Sequence, residues 1–326
     1  MRRREFLSVL GVASISPLAG QAEESERVRR VGVLLAYPES NPFARAYEGA
    51  LTQALGHLGW TEDKNLRIDY RFAAGDPTLF KAYAAELVGL APDVILASTA
   101  PALAALQQHT RTIPIVFVIV PDPVGRGLVA SLARPGGNIT GFASYDASII
   151  GKWIQLLKEA VPEVARASII FNADTALAPP LDPVIAAAPS VGVTVTLAPV
   201  HDDAGIEAQA AAQAREPGGG LIILPDSFNV THIGVIVAAA VRSKLPSIGW
   251  TDIPRAGGLM SYWYDAVELH ARAASYIDRI LKGASPGDLP IQYPTKYSLI
   301  INLKAAKALD LTVPPRILDI ADEVIE

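Results

Sequence analysis

The sequence predicts an α/β protein of two lobes, each built on a mostly parallel sheet, and three observations lead there. Short β-branched runs alternate with helical patterns from Val31 to Asp252. The alternation stops in a Pro- and Gly-rich stretch, Pro121 to Gly141, and then starts again. The chain has 326 residues, half of them hydrophobic, which is enough for two cores of ordinary domain size. Parallel strands joined through helices need right-handed crossovers, and those cover both faces of a sheet.

In the first series, "VGVLLAY" (31–37) reads as a buried strand. Tyr47, Leu51, Leu55 and Leu58 follow at helical spacing until Gly59 stops them. "LRIDYRFA" (66–73) alternates as a strand does, "DPTLFKAYAAELVGL" has the form of a capped helix, and "DVILAST" (93–99) is again a buried strand. "APALAALQQHT" carries Pro101 in the first turn of a helix, and "IPIVFVIV" (113–120) is the fourth strand. The second series has helix 151–161, strand 167–172, a helix near 182–190, strand 194–200, helix 204–215, strand 221–226, helix 231–243 and strand 247–252. The remaining residues, 253–326, hold the strand "GLMSYWY", a long helix 266–282 and "YSLIINLKAAKAL". They are too few for a third domain and return to both halves, which makes several crossings and a hinge. The expected first lobe is 28–143 with 258–284, and the second is 144–257 with 285–326.

Between the series, Gly125-Arg126-Gly127-Leu128-Val129-Ala130 fits the G-x-G-x-x-A form of a dinucleotide fingerprint. That fingerprint needs its first Gly directly after the strand, then a full helix, then an acidic residue ending the next strand. Pro121-Asp122-Pro123 intervenes here, Pro135 ends a helix "LVASLAR" of about two turns, and Asp146 lies beyond the strand "ITGFAS". The stretch reads as a turn, a short helix and a Gly turn leading into the second lobe, and no cofactor is expected.

Composition excludes several function classes. The absence of Cys removes disulfides, thiolate metal sites and thiol nucleophiles together. A net charge of −5 without a basic run excludes the Lys and Arg clusters that nucleic acid phosphates demand. His57, His109, His201, His232 and His270 are scattered, with no H-E-x-x-H pair. His201-Asp202-Asp203 reads as a polar turn after a strand rather than a metal site. No G-x-S-x-G elbow or P-loop lysine occurs.

Residues 1–22 have the form of a bacterial signal peptide, with Arg2 to Arg4, an apolar segment Phe6 to Ala19, and small residues Gly20 and Ala22 at the −3 and −1 positions. The apolar run is shorter than the ~20 residues of a spanning helix and contains Pro17. Arg3-Arg4-Glu5-Phe6-Leu7 is similar to a twin-arginine signal, although Arg2 and Ser8 depart from the usual flanks. Without it, the chain has 25 basic and 32 acidic residues, a net of −7. The expected location is the periplasm.

"IPIVFVIVPDPVGRGLVASLARPGGNITGF", together with "NLRIDYRFAAGDP", "LVGLAPDVILAST" and "LIINLKAAKALDLTVP", resembles the family of ABC-transporter substrate-binding proteins with a type I periplasmic-binding fold. Some members of that family bind aromatic amino acids. The resemblance runs from about Val31 to Pro315. It implies two Rossmann-like lobes joined by three crossings, a small-molecule ligand held between them without chemistry, and delivery to an ABC permease in the inner membrane. A monomer is expected. The rival readings are an exported hydrolase or transferase using the same cleft, and a solute-binding sensory subunit.

In open parallel sheets ligands sit beyond the carboxyl ends of the strands. Tyr37 and Ser40, Ser98 and Thr99, Asp122, Asn172 and Asp174, Asp226 and Ser227, Asp252, and Tyr262 to Asp265 leave strands in this way. The family pattern places ligand contacts at Ser98-Thr99-Ala100, Asp226-Ser227 and Thr251-Asp252, and it often has Asn where Ser227 stands. Each candidate also has a structural alternative. Ser98, Thr99, Asp226 and Asp252 could cap helices, Asp122 could shape a turn, and some of Tyr262, Trp263 and Tyr264 could be core. If they face ligand, the backbone N–H groups after Thr99 suit a carboxylate and the aspartates suit an ammonium group. An amino acid or close derivative is therefore the expected ligand.

Overall fold

The computed structural model describes residues 27–173 and 181–326. The leader and Asp174 lie outside them.

The first lobe holds a five-stranded parallel sheet in the order β2-β1-β3-β4-β5. Its strands are β1 (Arg29–Leu35), β2 (Leu66–Phe72), β3 (Val94–Ser98), β4 (Ile115–Val120) and β5 (Ile139–Ala143). Helices α1 (Pro42–His57), α2 (Pro77–Gly89) and α3 (Ala100–His109) make the crossovers. Pro in the first turn opens all three, and the Asn41 and Asp76 side chains accept from Phe43 N and Thr78 N to cap α1 and α2.

The second lobe holds seven strands in the order β12-β11-β10-β9-β8-β6-β7. In chain order they are β6 (Arg166–Phe171), β7 (Thr194–Pro199), β8 (Gly219–Ile223), β9 (Ser247–Gly249), β10 (Met260–Tyr264), β11 (Tyr297–Asn302) and β12 (Glu323–Ile325). All pairs are parallel except β10 with β11. The helices after β5 are α4 (Ala147–Ala160), α5 (Asp182–Ala187), α6 (Asp203–Gln213), α7 (Ser227–Thr231), α8 (Ile233–Arg242) and α9 (Asp252–Arg255). Further along the chain come α10 (Ala266–Leu281), α11 (Leu303–Ala308) and α12 (Pro315–Asp319). Trp153 of α4 is fully buried, and its indole donates to Tyr262 O at 2.7 Å.

The chain crosses between lobes after β5, between β10 and α10, and before β11. Two details differ from the sequence reading. β10 pairs with β9 and β11, so 258–264 belongs to the second sheet and only α10 returns to the first lobe. Residues 285–293 also stay with the first lobe. Thr140 Oγ1 donates to Leu289 O at 2.7 Å, and Gln292 O accepts from Ala143 N at 2.9 Å. A strand covered on both faces carries no sequence mark of which sheet it joins. The two-turn helix expected at 128–134 is absent. That stretch is bend and irregular chain between the positive-φ glycines Gly127 and Gly136-Gly137, and tertiary contacts hold its backbone, such as Ile291 N to Leu132 O at 2.7 Å.

Candidate functional site

Both sheets direct their carboxyl ends toward the crossings, and each order has one switch point, β1/β3 in the first lobe and β6/β8 in the second. At the first switch point stands Thr99, whose φ of 94° and ψ of 161° fall in a region nearly reserved for Gly. It occupies the capping position of α3 but makes no side-chain cap bond, and its Oγ1 is buried without a hydrogen-bond partner among the described residues. Capping therefore does not explain Thr99. The free N–H groups of the first turn of α3, beginning at Ala100, lie beside it. Ser98 is fully buried and its Oγ lies 3.1 Å from His270 Nε2. Because His270 Nδ1 must donate to Ala266 O at 2.7 Å, Nε2 accepts and Ser98 donates to it. Ser98 is thus tied to α10, while Thr99 is the residue presented at the strand end.

An aromatic cluster borders this corner. The Tyr37 ring lies 6.0 Å from both Phe43 and Tyr47, and Tyr47 stacks on His270 at 4.0 Å. Burial raises the Tyr37 phenol, and the charge of Asp252 raises it further. For Tyr47 burial acts first, then Tyr37, Asp252 and Asp265. Asp252 of the second lobe therefore acts on the phenols of the first. It is half-buried, and Oδ2 accepts from the Trp250 indole at 3.1 Å. It is the first residue of α9 rather than its cap, which leaves the other oxygen without a protein partner among the described residues. Thr251 precedes it, half-buried, with its carbonyl accepting from Arg255 Nη1 at 3.2 Å.

Asp226 sits differently. Only 5% exposed, it caps α7 through Asn229 N at 2.8 Å and holds the end of β6 through Asn172 N at 3.1 Å. Asn172 is buried too and donates to Val200 O at 2.9 Å. These two residues knit the second switch point together. Ser227 is the first residue of α7. Ser40 lies exposed in the turn before α1, where Asn41 is the cap. Asp122 is a turn residue whose Oδ1 accepts from Gly125 N at 3.0 Å.

The aromatic run of β10 divides as an alternating strand must. Tyr262 stacks on Tyr297 at 5.3 Å, while Trp263 packs between Trp153 and Tyr145. Tyr264 is buried, and burial raises its phenol well above the usual value, with Tyr47 and Tyr145 adding to the rise. Tyr145, at the first crossing, and His270, on α10, were absent from the sequence candidates. Tyr145 follows the strand "ITGFAS" and could have been taken from that position, whereas His270 lies within a helix and only tertiary contact brings it to the crossings.

Known proteins share this architecture. A conserved domain protein of Vibrio cholerae superposes with a TM-score of 0.79 at 29% identity, covering 91% of this chain and 100% of that one. A Streptococcus pneumonia domain in complex with L-Trp gives a TM-score of 0.79 at 24% identity, covering 91% and 99%. A "Tyrosine-binding protein" of Clostridioides difficile is 26% identical over 344 aligned positions, 95% of this chain and 94% of that protein. The family described as "ABC transporter substrate binding protein" matches residues 33–325, and this chain belongs to that family of binding proteins rather than to a family of enzymes.

Proposed function

We propose that the protein is the periplasmic component of an ABC importer, and that it binds an amino acid or close derivative in the cleft and hands it unaltered to a membrane permease. The observation that carries the reading is the opposition of Asp252, with one free carboxylate oxygen, to Thr99, with a buried unpaired hydroxyl at the start of α3. An ammonium group suits the first and a carboxylate the second. The rings of Tyr37, Phe43 and Tyr47 supply an apolar wall for a side chain. The relative described as tyrosine-binding and the fold neighbour holding L-Trp support an aromatic amino acid as the first choice. The leader at 1–22 supports export, with the twin-arginine route favoured by Arg3-Arg4-Glu5-Phe6-Leu7.

A thermal-shift screen of refolded, ligand-free protein against amino acids, sugars and small carboxylates tests the ligand. Shifts with amino acids are expected, and a shift with a neutral sugar alone overturns the reading. N-terminal sequencing of fractionated native protein tests export, with a start near Glu23 in the periplasm expected and an intact Met1 in the cytosol contradicting it.

A further inference from the structure

The carboxyl ends of β3, β4 and β5 lie side by side, because Thr99 N donates to Val118 O at 2.9 Å and Ser144 N to Val120 O at 3.1 Å. Two buried hydroxyl oxygens flank the end of β4, Thr99 Oγ1 and Ser144 Oγ, and neither has a partner in hydrogen-bond geometry among the described residues. Ser144 nevertheless lies near enough to Tyr264 to favour its phenolate.

The turn after β4 carries a cation to this place. Asp122 takes a positive φ of 42° and folds its carboxylate under the turn, where a Cβ on Gly125 would come within 2.1 Å of Asp122 Oδ2. Arg126 N donates to Asp122 O at 3.1 Å, and Gly127 closes the turn with a φ of 66°. Arg126 itself is half-buried, its Nε donates to Pro121 O at 3.0 Å, and no carboxylate pairs with it among the described residues. One bond therefore fixes the side chain, and its Nη groups remain available as a planar donor pair. Beside it is Tyr145, whose phenol is raised by burial, lowered by the charge of Arg126 and raised by that of Asp226 across the cleft.

We infer that Arg126 is a specificity-determining residue that holds the ligand's anionic group, with Thr99 and Ser144 as neutral donors on either side. The inference rests on the amino-acid reading for the amine at Asp252 but not for the anion. It orients the ligand, with carboxylate toward the ends of β3 to β5 and amine toward the second lobe. Closure on a solute without an anionic group would leave the guanidinium desolvated and unpaired, so the site would discriminate strongly against amides and decarboxylated amines.

The test is calorimetric titration of the refolded mature chain, its Arg126→Gln variant and its Arg126→Lys variant. The probes are L-tyrosine, L-tryptophan, L-leucine and L-glutamate, their α-amides, and the corresponding acids lacking the amine. The expected result is at least tenfold weaker binding of each amide than its acid, roughly the loss of one charge-assisted pair. In Arg126→Gln that discrimination should collapse because acid binding weakens, and Arg126→Lys should restore part of it. Thermal melts of the three proteins should agree, since the residue caps no helix and fills no core. If acids bind only without the amine, the anion site stands and the amino-acid reading falls. If amino acids bind but their amides bind equally well, or Arg126→Gln keeps full affinity, the anion site falls and the amino-acid reading stands. If no probe binds the parent, both fall.

Discussion

Thr99 spends conformational energy that packing alone does not require. A β-branched residue at a φ of 94° is strained by about 1–3 kcal/mol, whereas Gly there would lose only about 0.5–1 kcal/mol to chain entropy. Thr99→Gly should therefore raise the melting temperature, by a net of about 1 kcal/mol, while weakening amino-acid binding. Thermal melts with and without ligand check both halves. The two aspartates should separate in the same way. Asp252→Ala removes a carboxylate with a free oxygen and should cost about 2–5 kcal/mol of binding at nearly parental stability. Asp226→Ala removes a cap and the tie to Asn172, so it should lower stability by about 1–3 kcal/mol. His270 adds a pH dependence. Burial lowers its pKa from 6.5 to about 4, with only the bond to Ala266 O opposing. The unfolded chain thus binds the proton first, and this contribution to stability is complete above pH 6.5 and is lost as pH falls toward 4. It amounts to roughly 3 kcal/mol, and urea titrations of the parent and His270→Gln across that window should show the slope shrink in the variant.

Among the elements, Gly141 of β5 marks where the sheet end tolerates no side chain. A Cβ there would stand 2.1 Å from Phe117 O, at a φ of 153°. Gly141→Ala should destabilise the first lobe by several kcal/mol, about the upper range for single substitutions, and chemical denaturation measures it. Most helices and strands were legible because their signals are local. Asn41, Asp76, Asp202 and Asp265 each cap a helix that the sequence suggests, and Asp146 caps α4, which begins four residues ahead of the expected start at 151, each through a bond within two or three residues. The helix expected at 231–243 is α8, and a separate short helix, α7, precedes it, parted from it at His232, whose ring stacks on Phe228 at 4.0 Å. The short α9 and β12 escape a periodic reading because they span less than two turns and three residues respectively. Of the site, Thr99 and Asp252 were legible from their place after a strand. Whether each would cap a helix was not, since that depends on backbone angles. Arg126 carries no local signal, because its G-x-G setting reads as a turn, and only the fold sets that turn beside the buried hydroxyls of Thr99 and Ser144.

In the whole molecule, three crossings join the lobes, and the last is held to the first lobe by Gln292, which donates to Gly141 O at 3.2 Å and accepts from Ala143 N at 2.9 Å. Such a hinge can shift between open and closed forms when a ligand touches both lobes. Small-angle scattering should show a smaller radius of gyration with ligand. Trp250 should report the same event, since its indole donates to Asp252 and a ligand amine would compete for that carboxylate. The most direct measurement of the central claim is a titration of refolded, ligand-free protein with L-tyrosine and L-tryptophan, followed by mass spectrometry of the recovered ligand. Saturable binding of one molecule per chain, lost in Asp252→Ala and with the amino acid recovered unchanged, is the predicted result. Undiminished binding in Asp252→Ala, or chemical conversion of the bound amino acid, would contradict it.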